Sequence, residues 1–364
     1  MSMAAPKQRY PLVDVLRGFA ALLVVFYHVI ALGEWKDLAT TGLAMLPRIG
    51  WVGVDLFFVI SGFVIGKTAM EEFAKGGSWR SVFMARRFRR IAPLYVASMV
   101  CYLFLVHPNV LREGWMLVVH VVSHLLFLHN LSSITYYSIN GPSWSIALEM
   151  QFYVLVALAT PWMARSPWWK VLLVWVGVAI GWRFATTLVW PPGHSDEQIQ
   201  MMAAMQLPGV LDQFAFGICL AKLAMAGQLR YQPMRLLGWA LGSLLLLTLA
   251  WQALWSQVPY WSFPWMVVVW RTLLSAGFAA LLACVVICPW GEGWVTRPLR
   301  YLGEISYGIY LWHFPVLLTL VEKTPLRGAK LLVATVACTL VIASLSWHGF
   351  EKLWLKPQQP MDKA

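Results

Sequence analysis

Charge is scarce in this 364-residue chain: Asp, Glu, Lys and Arg together make up 12% of it, where a soluble domain carries about 25%. With 60% of residues hydrophobic, that scarcity excludes an ordinary water-soluble globule and selects a polytopic membrane protein. Acidic residues are rarer than basic ones, 16 against 28, for a formal net charge of +12. In a membrane chain the excess reads as the loop bias that sets orientation and as attraction for anionic lipid or a phosphorylated substrate, and nucleic acid is not expected as a partner. Cysteine is sparse too. Cys101, Cys219, Cys284, Cys288 and Cys338 are scattered through apolar runs, which excludes a disulfide framework and a zinc knuckle and leaves them as packing residues. Repeats of solenoid period are absent, and the loops are too short for a second folded domain. Residues 1–364 therefore read as one membrane domain with its core at 11–351 and short tails at both ends.

What the chain does contain is long apolar runs, near 11–32, 51–67, 91–107, 115–131, 145–163, 171–190, 208–226, 236–256, 264–288, 301–322 and 331–351. The run 115–131 is interrupted by His120, His124 and His129 and is followed by a polar stretch, so it is expected to be a re-entrant or surface helix. Ten spans remain, giving an all-α transmembrane bundle with both termini on one side. The positive-inside rule supports that count. It places 19 of the 28 basic residues at the cytoplasmic ends, including Lys7, Arg9, Lys356 and Lys363 in the tails; six, Lys36 among them, lie outside, and Arg17, Arg183 and Arg271 lie within spans. Trp51, Trp168, Trp169, Trp190 and Trp261 fall at span ends, where interfacial belts form. A multi-pass protein of a cell membrane, most simply the bacterial inner membrane, is expected.

The first run carries Arg17 and His28. Ionisable groups in hydrocarbon are costly and mark function by default. Eleven positions at 100° end 20° past three full turns, so both side chains share one helix face, roughly 16 Å apart. Asp14 falls near the same stripe and can pair with Arg17. A basic start (Lys7, Arg9) before an apolar run also describes a signal peptide, but this run is long, charged and without a small-x-small cleavage site, so it reads as retained. With ten spans, His28, Asp55 and Glu149 fall at similar depths in the outer third of the bilayer, where a carboxylate beside an imidazole makes a base. At the inner mouth, Met84 to Arg90 reads MARRFRR, a topology signal that can also hold phosphate. Three histidines at 120, 124 and 129 invite a metal reading, but no carboxylate or cysteine stands at ligand spacing, and no metal is expected.

Six segments carry a family resemblance, in order: LRGFAALLVVFYHV around Arg17 and His28; GVDLFFVISGFVI, Gly53 to Ile65; RRFRRIAPLY, Arg86 to Tyr95; NGPSWSIALEMQFYVL, Asn140 to Leu155; LDQFAFGICLA, Leu211 to Ala221; and GEISYGIYLWHFPV, Gly303 to Val316. Together they resemble the acyltransferase 3 family of integral-membrane acyltransferases. The family pattern is departed from at Ala147, Met150 and Val210.

That resemblance implies an acyl-CoA-dependent O-acyltransferase with no tightly bound cofactor. It would move an acyl group, most simply acetyl, from cytoplasmic acyl-CoA to a hydroxyl of a sugar, polysaccharide or glycolipid at the outer face. It implies His28 as base, oriented by Asp55 or Glu149. Arg17 and an arginine pair would meet the donor, the pair being Arg87 with Arg90 or, one residue earlier, Arg86 with Arg89. Trp144, Tyr153, Tyr307, Tyr310 and His313 are expected to line the substrate cavity, and Ser61 and Ser145 to pack. The chain resembles the stand-alone type of the family, without a fused esterase-like domain. A secondary transporter would also combine ten spans with buried ionisable groups, but it would show paired interrupted helices in two halves. A non-catalytic partner of a polysaccharide export assembly is the other alternative, and the intact Arg17, His28 and Glu149 set argues against it.

Overall fold

The computed structural model describes residues 10–35, 38, 42–256 and 260–355. Lys7, Arg9, Lys36, Lys356 and Lys363, which entered the charge argument, lie outside the described residues. Among the described residues the secondary structure is helical, without a strand. In chain order the helices are α1 (Pro11–Leu32), α2 (Gly53–Lys75), α3 (Trp79–Cys101), α4 (Trp115–Leu125), α5 (Trp144–Arg165), α6 (Trp168–Val189), α7 (Glu197–Ala204), α8 (Leu211–Met225), α9 (Pro233–Ser256), α10 (Arg271–Ile287), α11 (Thr296–Glu304), α12 (Ser306–Lys323), α13 (Gly328–Ser346) and α14 (Lys352–Leu355). Among the described residues nine helices are long and apolar enough to cross a membrane, and a tenth span results if α11 and α12, bent by 69°, count as one. The protein is thus a polytopic helical bundle. Helix α4, at 11 residues, is too short to span.

Local chemistry explains the helix ends. Pro11 opens α1, where its missing N–H costs nothing, and Asp14 faces the positive pole of the first turn. Gly76, at φ +74°, closes α2 in a backbone conformation that side chains rarely tolerate. The third span begins earlier than the apolar run 91–107 suggested. Trp79 and Phe83, one turn apart and both buried, start α3, so the arginine run is helical rather than a loop. Arginine is a good helix former, and its stem can lie along apolar surface while the head stays wet.

Helix α2 is the hub, buried along most of its length and packed against α1, α3, α5, α8 and α10. Its closest neighbour is α8, and glycine makes that approach possible. A Cβ at Gly62 would stand 2.1 Å from the Phe214 carbonyl oxygen, and one at Gly217 would stand 2.0 Å from that of Val59. Small residues at crossings let backbones meet where lipid provides no hydrophobic drive between helices. By contrast α9 and α13 expose long apolar faces, for example Leu244 and Val333, as helices at a lipid boundary do.

The bundle has two polar ends. At one, the start of α1, the end of α2, the start of α3, the second half of α5 and the α11–α12 bend come together, tied by Arg80 Nε donating to the Ala157 carbonyl at 3.0 Å and by Tyr307 Oη donating to that of Ile91 at 2.7 Å. We call this the arginine end. At the opposite end lies a buried ionic network. Arg271 Nη1 reaches both oxygens of Asp55 at 2.6 and 2.8 Å, and Arg183 Nη2 donates to Asp212 at 2.7 Å and to Thr272 at 2.7 Å. Trp51 covers Arg271 at 4.7 Å from its ring centre. These pairs account for two of the three arginines found within spans.

Candidate active site

A cavity of about 1000 Å³ opens at the arginine end between α1, α2, α3, α5 and α12. Arg17, Arg86, Arg87, Arg89 and Arg90 all line it, and Glu149 is the one carboxylate among its lining residues. Helix α3 presents four guanidinium groups within five residues because positions 86 and 90, one turn apart, face the cavity together while 87 and 89 flank them. Some of these groups are partly engaged. Arg17 is 3.6 Å from Asp14, Arg86 pairs with Glu72 at 2.7 Å, and Arg90 stands 3.8 Å from Glu351 and over the Trp347 ring at 5.1 Å. Arg87 keeps a buried Nε without a partner among the described residues. The lining itself holds five guanidinium groups and one carboxylate, with Asp14, Glu72 and Glu351 beside three of the five, and guanidinium is a group suited to phosphate.

Above the arginines the walls turn to hydroxyls. Glu149 Oε1 accepts from Ser61 at 2.9 Å and from Tyr153 at 2.5 Å. Tyr307, Tyr310 and Ser145 complete this zone. Tyr310 Oη and Ser145 Oγ lie 2.6 Å apart and both reach the Pro142 carbonyl, at 2.7 and 3.3 Å. Ser61 and Ser145, expected to pack, therefore line the cavity, and Ser61 holds the glutamate. Two further liners, Trp354 and Leu355, come from the C-terminal end of the described chain. Sequence reasoning missed them because nothing local marks a short terminal helix as part of a site more than 250 residues away in sequence.

The cavity does not extend to His28. Val54, Phe57, Tyr310 and Ser145 form the far end of its lining, with the Phe57 and Tyr310 ring centres 6.1 Å apart. His313 packs behind Tyr310 at 5.8 Å, and His28 behind His313 at 5.0 Å. The way from the cavity to His28 is thus closed by aromatic side chains, and His313, expected to line the cavity, backs it instead. His28 is half-buried, flanked by Tyr27 and Phe314. Its Nδ1 lies 2.9 Å from the Val24 carbonyl and 3.2 Å from Nε2 of His313.

The expected convergence of His28, Asp55 and Glu149 is also corrected. Asp55 has both oxygens occupied by Arg271, a partner 216 positions away, so the carboxylate that looked poised for an imidazole is neutralised by a cation. Glu149 belongs to the arginine cavity and bonds Ser61 and Tyr153. Trp144 is absent from the cavity lining and stacks on Tyr136 at 5.9 Å and 18°. Of the anticipated binding residues, Arg17, Arg86, Arg87, Arg90, Tyr153, Tyr307 and Tyr310 do come together.

The histidines at 124 and 129 form a separate buried pair. Their rings stack at 3.8 Å and 5°. Tyr95 Oη lies 2.7 Å from His124 Nδ1, Ser138 Oγ lies 3.1 Å from its Nε2, and Ser143 Oγ lies 3.2 Å from His129 Nε2. Burial pushes both imidazoles well down from the ordinary histidine value of 6.5, His129 to about 4, and the neighbouring His129 and His120 push His124 further still. His120 instead contacts Glu113 at 3.1 Å.

The acyltransferase domain model of the acyltransferase 3 family matches residues 10–348, and the chain belongs to that family. It is similar to the peptidoglycan O-acetyltransferase OatA of Listeria monocytogenes, 26% identical over 94% of this chain and 55% of that protein. It is likewise similar to the peptidoglycan O-acetyltransferase candidate YrhL of Bacillus subtilis, 27% identical over 94% of this chain and 54% of the other. The membrane-bound transacylase candidate BcsY of Komagataeibacter xylinus is 26% identical, with 96% and 84% covered. The chain spans about half the length of the first two relatives. No solved structure matches it.

Proposed function

We propose that this protein is an acyl-CoA-dependent O-acyltransferase that acylates a hydroxyl of a sugar or polysaccharide across the membrane, acetyl being the simplest acyl group. The observation that carries the reading is the five-arginine cavity, which rises from one end of the bundle and stops one aromatic layer short of the His28 and His313 imidazoles. Basic loop residues crowd the arginine end and are few at the other, which by the positive-inside rule supports a cytoplasmic arginine end, with both termini on that side in this reading. The phosphates of acyl-CoA would dock at Arg86, Arg87, Arg89 and Arg90, with the pantetheine arm rising past Arg17 along the hydroxyl-lined wall. The acceptor would approach from the opposite face.

In the transfer step His28 takes the proton of the acceptor hydroxyl while its oxygen attacks the thioester carbonyl. The C–S bond breaks as the ester forms, and the imidazolium returns the proton to the departing sulfur, giving ester and free CoA thiol. A positioned base of this kind contributes about 10² to 10⁴ in rate. Phe57 and Tyr310 would have to give way as the thioester arrives, a modest side-chain motion beside an existing cavity. The relatives named for O-acetyl transfer support the reaction class, and peptidoglycan or another polysaccharide is the acceptor class they suggest.

The test is radiolabelled acetyl-CoA turnover by the full chain in lipid nanodiscs, with soluble peptidoglycan fragments as acceptor. Arg87→Ala with Arg90→Ala should raise the KM for acetyl-CoA at least tenfold, and His28→Ala should lower kcat by about 10² or more. An unchanged KM in the arginine variant would reject the donor site, and full turnover by His28→Ala would reject the base.

A further inference from the structure

The two imidazoles at the top of the cavity constrain one another's protons. His313 Nδ1 lies 2.7 Å from the Tyr310 carbonyl oxygen, which can only accept, so Nδ1 carries the hydrogen and, in the neutral ring, Nε2 keeps a lone pair. That lone pair faces His28 Nδ1 at 3.2 Å. His28 Nδ1 is independently required to be a donor, because the Val24 carbonyl stands 2.9 Å from it. Both constraints agree. One N–H on His28 is shared between Val24 and His313, and the lone pair of His28 is left on Nε2, which makes no hydrogen bond among the described residues.

We infer that His313 is a positioning residue: with the Val24 carbonyl it holds His28 as the Nδ1–H tautomer, and it fixes the ring so that the free Nε2 is aimed at the proton to be taken. In catalytic triads a carboxylate usually serves this purpose, holding the ring and stabilising the imidazolium. Here a neutral imidazole anchored on a backbone carbonyl does the holding, and the carboxylates anticipated for it are engaged elsewhere. The choice suits the setting. An ionised orienter at this depth would need its own counter-charge, whereas His313 is fully buried and satisfied by Tyr310 without one. The rings in contact with the pair are Tyr27, Phe314 and Tyr310, none of them charged at neutral pH. Helix α12 supplies the geometry, since Tyr307, Tyr310 and His313 recur every three residues and run from the arginine cavity to the base along one side of one helix.

The inference rests on the acyltransfer reading above for its catalytic meaning, but the tautomer can be tested without any substrate. With ¹⁵N-histidine label in nanodiscs, His28 Nδ1 should resonate as a protonated nitrogen and Nε2 as an unprotonated one, the His28 signals being assigned from a His28→Gln sample. His313→Phe leaves the Val24 carbonyl against Nδ1 and should keep the Nδ1–H tautomer, but should broaden the His28 signals as the ring loses its second anchor. In acetyl-CoA turnover, His313→Phe should lower kcat roughly tenfold or more, as loss of an orienting hydrogen bond does, while the KM for acetyl-CoA stays within about twofold. His313→Gln, whose amide oxygen can reach the place of Nε2, should recover most of the rate. A protonated Nε2 on wild-type His28 would overturn the inference, as would full turnover by His313→Phe or equal loss in the Phe and Gln variants. Full turnover by His28→Ala alongside the expected tautomer would instead overturn the base assignment and leave the orientation standing.

Discussion

Neutralising Asp55 should reveal whether it serves chemistry or architecture. In Asp55→Asn the Arg271 guanidinium loses its counter-charge and one of the two acceptor oxygens that hold it at 2.6 and 2.8 Å. The two side chains are 0% and 6% exposed, so water screens little of the loss. Removing one partner of such a pair costs roughly 3–5 kcal/mol, because the remaining charge is left buried and uncompensated. Arg271→Gln should cost a similar amount. The double variant, with a neutral amide on each side, should recover most of the loss, a coupling of several kcal/mol that two independent sites would not show. Thermal or denaturant unfolding in detergent measures the stability term, and acetyl-CoA turnover on the same samples measures the chemical one. Because Asp55 is spent on Arg271, the double variant should work within about threefold of wild type. If it is stable yet loses two or more orders of magnitude in kcat, Asp55 takes part in the reaction and the architectural account is wrong. Additive losses in the two single variants would show that the ion pair itself is unimportant.

Three further outcomes follow from the packing. Below pH 6.5 the unfolded chain takes up protons that the stacked His124 and His129 refuse, so stability is complete above that value and falls as the pH is lowered toward about 4. Each imidazole should contribute about 2 kcal/mol of loss by pH 5, and an unfolding midpoint with the same slope from pH 7 to pH 5 in a His124→Gln, His129→Gln variant would exclude the pair as its source. Gly62→Ala would put a Cβ 2.1 Å from the Phe214 carbonyl and should cost at least 1–3 kcal/mol, whereas Gly177→Ala, with nothing within 4 Å, should change little; equal unfolding midpoints would contradict the close α2–α8 approach. Glu351→Gln should lower the KM for acetyl-CoA at least about twofold by releasing Arg90 from a competing carboxylate 3.8 Å away, and a raised KM would mean that Glu351 holds Arg90 in its binding position.

Much of this molecule is legible along the chain, and the physical basis is short-range. The apolar runs specify the spans because a helix that must cross hydrocarbon needs about 20 residues and satisfies its own backbone. Helical periodicity puts Arg86 and Arg90 on one side of α3, and the break at His120 and His124 correctly marks 115–131 as something other than a crossing helix. What the period cannot convey is which side chain meets which across helices. Asp55 and Glu149 share a depth with His28 in any linear count, yet one was met by Arg271 and the other by Ser61 and Tyr153. Arg183 and Arg271 stood out in sequence as charges within spans, and only the packing of α2, α6, α8 and α10 decided that they would consume the nearby acids.

The sequence by itself determined that this is a membrane bundle, where its helices run, and that arginine gathers at one end while an imidazole stands about three turns above Arg17. Tertiary structure alone decided that the arginines enclose a cavity, that Phe57 and Tyr310 close its top, and that a histidine 285 positions away, not a carboxylate, meets His28. The reason is range: spacing along a helix is set by 1.5 Å steps and 100° turns, but contacts between helices depend on how glycines, rings and ion pairs from distant segments fit against one another.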